Sequence, residues 1–228
     1  MKCLFSIISE CKNHDRHVAK KEWGIFEPTG LNLAAYGRAM QTNEWERNEQ
    51  LQATVLSDYD LEFFALDHNK QYEATIPAEQ PRCDGFIFSD DRVVQVFVEL
   101  KNRKTSTPSE AMDIIAEQCI DVDARSMIAE KDREEWLPKA VVQLSSTIES
   151  FKLSDPAEYA LSGSIKRAYV ANRRVGYNIE FMAENTKAKF LGSTGYVLYI
   201  NTRIKIDKIP PVIKLRLFHG DQLKALTT

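Results

Sequence analysis

The sequence predicts an α/β domain, and three features carry that prediction. Residues 84–101 read as a β-hairpin, residues 138–151 repeat apolar side chains at helical spacing, and further apolar strands follow at 166–171 and 196–202. The order that emerges is helix, three strands, helix, then strands.

The hairpin is the most informative stretch. Residues 93–101 run Val, Val, Gln, Val, Phe, Val, Glu, Leu, Lys, dominated by β-branched and aromatic side chains with no Gly or Pro. Side chains alternate faces with period two. Val94, Val96, Val98 and Leu100 share one face; Gln95, Phe97, Glu99 and Lys101 share the other. Ser89-Asp90-Asp91-Arg92 is a polar turn signal. A turn centred between Asp91 and Arg92 sets Asp84 opposite Glu99 and Phe86 opposite Phe97. A slip of one residue would flip Asp84 to the other face.

The other elements follow in order. Residues 4–8 read as a short apolar strand. Thr29 or Asn32 would cap a helix through Met40, a second helix fits 43–56, and an apolar stretch follows at 61–66. Residues 72–76 read as a strand ended by Pro77, and 108–136 are acidic and mostly helical in pattern. Pro138 opens a stronger helix with Ala140, Leu144, Ile148 and Phe151 on one face. Ser154-Asp155-Pro156 begins a short helix closed near Gly163, and strands follow at 166–171, 196–202 and 212–218. Neither repeats nor a domain boundary interrupt the chain, which predicts one domain over 1–228.

Composition sets the class. The 228 residues are 43% hydrophobic and 28% charged, enough for a sizeable core and ordinary for a soluble protein. No apolar run approaches the ~18 residues that span a membrane, and 4–8 is too short for a signal-peptide core. A cytoplasmic protein is expected, with its four cysteines as free thiols. Net charge is −3, but residues 1–163 carry 18 Lys+Arg against 29 Asp+Glu, and residues 164–228 carry 12 against 4. The basic third includes Lys166, Arg167, Arg173, Arg174, Lys187 and Lys189, which would track phosphates or guard a sheet edge.

Asp84, Glu99 and Lys101 suit metal-assisted phosphodiester hydrolysis. Two acids facing each other across a hairpin repel unless neutralised. Mg²⁺ takes hard oxygen ligands, commonly one or two carboxylates plus a substrate phosphate. Lys101 would orient the attacking water or offset charge that develops in the transition state. The plain alternative is a surface acid pair with a stray lysine.

These residues resemble the PD-(D/E)xK nuclease superfamily, which includes restriction endonucleases. Asp84 and Glu99-Leu100-Lys101 carry the resemblance, with Pro81-Arg82-Cys83-Asp84 in place of a tight Pro-Asp pair. In element order it covers roughly residues 30–205. The resemblance implies a restriction endonuclease-like core, a central mixed β-sheet flanked by helices. It implies Mg²⁺ held by Asp84 and Glu99, with Mn²⁺ as a substitute. It also implies a DNA rather than RNA substrate, and a restriction or defence role. A homodimer or a partner subunit would supply target choice.

Two further residues follow from the resemblance. Such nucleases often carry a glutamine on the helix after the lysine strand, and Gln143 is the candidate; the alternative is a boundary glutamine facing water. They also tend to place an acid on the helix before the sheet. Helical spacing would set Glu49 in a stripe with Trp45, Ala53 and Leu56, making it the third metal ligand, against an ordinary exposed acid.

Competing signals are weaker. Cys3, Cys11, His14 and His17 are zinc-type residues, but Cys11-x2-His14-x2-His17 lacks the usual spacing. His68 and His219 are isolated. Tyr169, Tyr177, Tyr196 and Tyr199 would stack on bases or fill the core. No Walker-type loop, GxSxG elbow or HExxH occurs. A non-catalytic binding module on the same fold is the second functional reading, with the acidic 108–136 segment as its partner surface.

Overall fold

Apolar alternation in the sequence condenses into one mixed sheet of eight strands. The computed structural model describes residues 4–10, 17–28, 33–68, 80–101, 124–161, 164–173 and 184–207. The strands are β1 (His17–Phe26), β2 (Tyr36–Arg38), β3 (Leu51–Ala65), β4 (Gly85–Phe88), β5 (Val94–Lys101), β6 (Ile165–Asn172), β7 (Val197–Ile200) and β8 (Arg203–Ile206). Their order is β2-β1-β3-β4-β5-β6-β7, with β8 pairing β3. β3, β4 and β5 form an antiparallel meander, while β5–β6 and β6–β7 are parallel. The parallel pairs need crossovers. Helices α3 (Ala124–Ser154) and α4 (Pro156–Tyr159) lie in the first, and α5 (Glu184–Thr194) in the second; α1 (Leu4–Glu10) and α2 (Glu44–Arg47) precede the meander.

One sheet face is covered by helices. Phe64, Phe86, Phe88, Phe97, Ala168, Val170 and Leu198 pack against Leu4, Phe5, Ile7 and Ile8 of α1, the α3 stripe, and Phe190 of α5. The aromatic rings interlock, with Phe86 and Phe97 centroids 4.6 Å apart and Phe97 5.7 Å from Phe151. Each buried aromatic contributes roughly 1.5–3 kcal/mol, so this face anchors the meander to α3. Asp155 accepts the Leu4 amide at 2.5 Å and ties α1 to the end of α3.

The other face is covered by the sheet itself. Val94, Val96, Val98 and Leu100 of β5 share a cluster with Trp23, Ile25, Val55, Phe63, Ile204 and Ile206, all from strands. β3 is bent to make this possible. Residues 62–65 pair antiparallel with β4, whereas 54–57 pair parallel with β8. The bend falls where Asp58, Tyr59 and Asp60 are opposed by the single position between Ala19 and Lys21 of β1. Lys21 takes a left-handed φ of 69° there. The β1–β3 ribbon folds over the sheet, and both its ends reach the C-terminal end of β5.

Several expectations are corrected. Residues 4–8 form a helix, because Leu4, Phe5, Ile7 and Ile8 all bury against the sheet and so short an apolar run fits either period. The helix expected over 43–56 stops at Arg47. Arg173 donates to the carbonyls of Trp45, Asn48 and Leu51, and residues 51–56 enter β3. Tyr36–Arg38, within the segment expected as a helix through Met40, is a strand. Helix α3 begins well before Pro138 and carries that residue inside it. Trp136 and Leu137 bury in the same core as Ala140, which holds the helix across the proline. β1, β8 and α5 were not anticipated. Residues 29–32, 72–76, 108–123, 163 and 212–218 lie outside the described residues. Among the described residues no helix is long and apolar enough to cross a membrane.

Candidate functional site

The hairpin register is the one its turn predicts: Gly85 pairs with Val98, Phe86 with Phe97 and Phe88 with Gln95. Ser89 and Asp91 hold the turn, Ser89 Oγ accepting from Val94 N–H at 3.0 Å and Asp91 from Val93 N–H at 3.1 Å. Phe86 and Phe97 both face the helices. With period-two alternation, Glu99 and Lys101 project on that same side. Asp84 stands just ahead of β4. Its carbonyl accepts the Leu66 amide at 2.9 Å, and its carboxylate accepts the Leu100 amide at 2.5 Å.

Burial gives the two acids their chemistry. Glu99 is 1% exposed, and its Oε2 has no hydrogen-bond partner among the described residues. Its Oε1 accepts from the Lys101 ammonium. Burial pushes the Glu99 carboxyl well above its usual range, the Asp84 charge adds to that, and Lys101 pulls it back. Asp84 keeps an edge toward solvent, yet the protein packed around its carboxylate raises it to about 7. The Leu100 amide and Lys101 oppose that rise, while Glu27 and Asp67 add to it.

Gln143 joins the site. Its Oε1 accepts from Lys101 at 3.0 Å and its Nε2 donates to the Arg82 carbonyl at 2.9 Å. The glutamine therefore faces the lysine and fixes the ammonium between Glu99 and α3.

Glu49 does not sit on a helix. The helical stripe that recommended it does not form, since Ala53 and Leu56 are in β3 and Glu49 is exposed on the turn after α2. Besides Glu99, the acids Glu27 and Asp67 also act on Asp84. Burial raises the Glu27 carboxyl, against Lys101 and His68, and one of its oxygens is buried without a hydrogen bond among the described residues. His68 pairs with Asp67 at 3.4 Å on the same rim. Sequence reasoning missed Glu27 and Asp67 because they close strands whose ends meet only through the folded ribbon. The available signal was position: Glu27 follows the last residue of β1, and Asp67 stands two residues past the end of β3.

The donor set fits a hard cation. Asp84 and Glu99 offer carboxylate oxygens, and Glu99 Oε2 is buried without a hydrogen bond among the described residues. Among the described residues, no three His, Cys, Asp or Glu side chains converge as a ready metal cage. Two protein carboxylates leave the remaining positions to water and a substrate phosphate, as is common for Mg²⁺.

The other candidates divide. Lys166 donates to the Tyr159 carbonyl, Arg167 to Lys205 at 2.5 Å and Arg173 to the 45–51 segment, so these bases serve the fold. Tyr169 and Tyr196 are buried, and Tyr199 stacks on Tyr169 at 4.9 Å. His17 begins β1, while Cys3, Cys11, His14, Arg174, Tyr177 and His219 lie outside the described residues. Cys83 is free and buried. No protein-family model matches this chain, and comparison with curated proteins and with solved structures finds no match either.

Proposed function

We propose that the chain is a Mg²⁺-dependent phosphodiesterase, a DNA endonuclease of the PD-(D/E)xK type with a restriction or defence role. The observation that carries this reading is the Glu99 carboxylate: buried, with one oxygen lacking a hydrogen bond among the described residues, within electrostatic reach of Asp84 and paired with Lys101. A buried acid so placed costs the folded state unless a cation or proton neutralises it. The sequence of meander, α3 and parallel β6 supports the same reading, being the element order the resemblance implies.

Asp84 and Glu99 would hold the cation, and Mg²⁺ or Mn²⁺ there would supply a water of lowered pKa and polarise the phosphoryl oxygen. Lys101 orients the attacking water and offsets negative charge at the phosphorus in the transition state. Gln143 keeps the Lys101 ammonium aimed into the site. Glu27 and Asp67 enlarge the negative field that draws a cation in. DNA as substrate, and a dimer or partner subunit for target choice, follow from the resemblance.

Purified protein incubated with supercoiled, linear and single-stranded DNA, and with RNA, in Mg²⁺, Mn²⁺ or EDTA tests the reading. Metal-dependent cleavage that disappears in Asp84→Ala and Glu99→Ala is expected. A protein that ignores millimolar Mg²⁺ and Mn²⁺ by calorimetry is instead a binding module.

A further inference from the structure

We propose that Thr147 is a positioning residue of the candidate metal site, holding the Cys83 amide and thereby the Asp84 carboxylate in register opposite Glu99. This rests on the metal-dependent reading above. Thr147 is 2% exposed and uses its hydroxyl in both senses. It accepts the Cys83 N–H at 2.9 Å and donates to the Gln143 carbonyl at 2.8 Å.

Asp84 needs such a support because it stands outside the β4 ladder. β4 begins at Gly85, so the ladder fixes Asp84 only through the Leu66 amide on its carbonyl and the Leu100 amide on its carboxylate. Neither partner belongs to α3. Neither sets how far the Arg82–Cys83 approach stands off toward α3. Thr147 supplies that restraint, one residue from the ligand, and Gln143 adds a bond to the Arg82 carbonyl. Farther from the site, the Gln80 amide reaches Ser146 at 3.4 Å and also Ser150. The four helical partners recur at i, i+3, i+4 and i+7, so they form one polar stripe beside the apolar stripe of α3. A single helix face thus holds the segment leading to Asp84 and, through Gln143, the ammonium of Lys101.

A displaced Asp84 loosens a metal site whose geometry tolerates little error. The full chain is titrated with Mn²⁺ by calorimetry, and its melting temperature is read in EDTA and in saturating Mn²⁺. Thr147→Val removes the hydroxyl at nearly constant volume. It should raise the Mn²⁺ Kd by about tenfold or more and shrink the metal-induced rise in Tm. Thr147→Ser keeps the hydroxyl and should bind within about threefold of wild type. Tyr196→Phe is the control for lost stability alone: it removes a buried hydroxyl bonded to Gln95 at 2.8 Å, near the start of β5 and away from Lys101 at its end. It should melt lower in EDTA yet keep the wild-type Kd. If Thr147→Val does not fold, Thr147→Ala leaves room for a water and is read the same way. Wild-type affinity in Thr147→Val or Thr147→Ala, or a loss in Thr147→Ser as large as in Thr147→Val, overturns the positioning role alone. A wild-type protein that binds no Mn²⁺ overturns the metal-dependent reading and this role with it.

Discussion

Asp84→Asn should make the metal-free protein more stable above neutral pH while abolishing cleavage. Burial is the first cause of the raised Asp84 carboxyl, which stands at about 7 against an ordinary 3.8. A folded pKa above the unfolded one means that the folded state holds the proton longer. The side chain's stabilising contribution is therefore complete below pH 4, declines as the unfolded chain ionises, and is lost once pH passes 7. At about 1.4 kcal/mol per pH unit, the loss has an upper bound of roughly 4–5 kcal/mol. The solvent-facing edge of Asp84 and the new amide's need for partners reduce the net gain from Asp84→Asn to roughly 1–3 kcal/mol. The asparagine oxygen still accepts the Leu100 amide. For a chain of this size that is on the order of 2–10 °C in Tm. Thermal unfolding of both proteins in EDTA at pH 4, 6 and 8 measures it. The gap should open with pH, and saturating Mg²⁺ should narrow it by stabilising only the wild type. Parallel pH profiles, or a wild type that is the more stable at pH 8 in EDTA, would refute the account of a strained, buried acid.

Lys101→Ala should leave metal binding near normal but slow single-turnover cleavage by roughly two to three orders of magnitude, the scale of losing one electrostatic stabiliser. Lys101→Arg should not restore the rate fully, because a planar guanidinium cannot occupy the ammonium's place between Glu99 and Gln143. Glu27→Gln should weaken Mn²⁺ binding by about 1 kcal/mol, or roughly fivefold, as expected for one nearby charge in a partly buried site; an unchanged calorimetric Kd would remove Glu27 from the site. Lys21→Gly should raise stability to urea by about 0.5–1 kcal/mol, since glycine accepts the left-handed φ of 69° at the ribbon bend without a steric penalty. A lower urea midpoint would mean that the lysine side chain, not its backbone, matters there.

Local pattern alone determined the centre of this protein. The 84–101 hairpin and its register, the buried face of Ala140, Leu144, Ile148 and Phe151, and strands β6 and β7 were legible because each rests on short-range periodicity and turn chemistry. For the same reason Glu99 and Lys101 could be set on one face before any fold was known. Gln143 was found by its place on the following helix, although its two bonds, to Lys101 and to the Arg82 carbonyl, depend on how α3 docks. What the tertiary structure decided is non-local. Residues 51–56 suit a helix by spacing, yet β1 and β8 claim their backbone and Arg173 takes the carbonyls that would have continued α2. The helical stripe that pointed to Glu49 went with that helix. Glu27 and Asp67 gained theirs because a bend at Lys21 and residues 58–60 returns both ends of the β1–β3 ribbon to Asp84. Burial and electrostatic coupling depend on distances through space, which residue order along the chain does not contain.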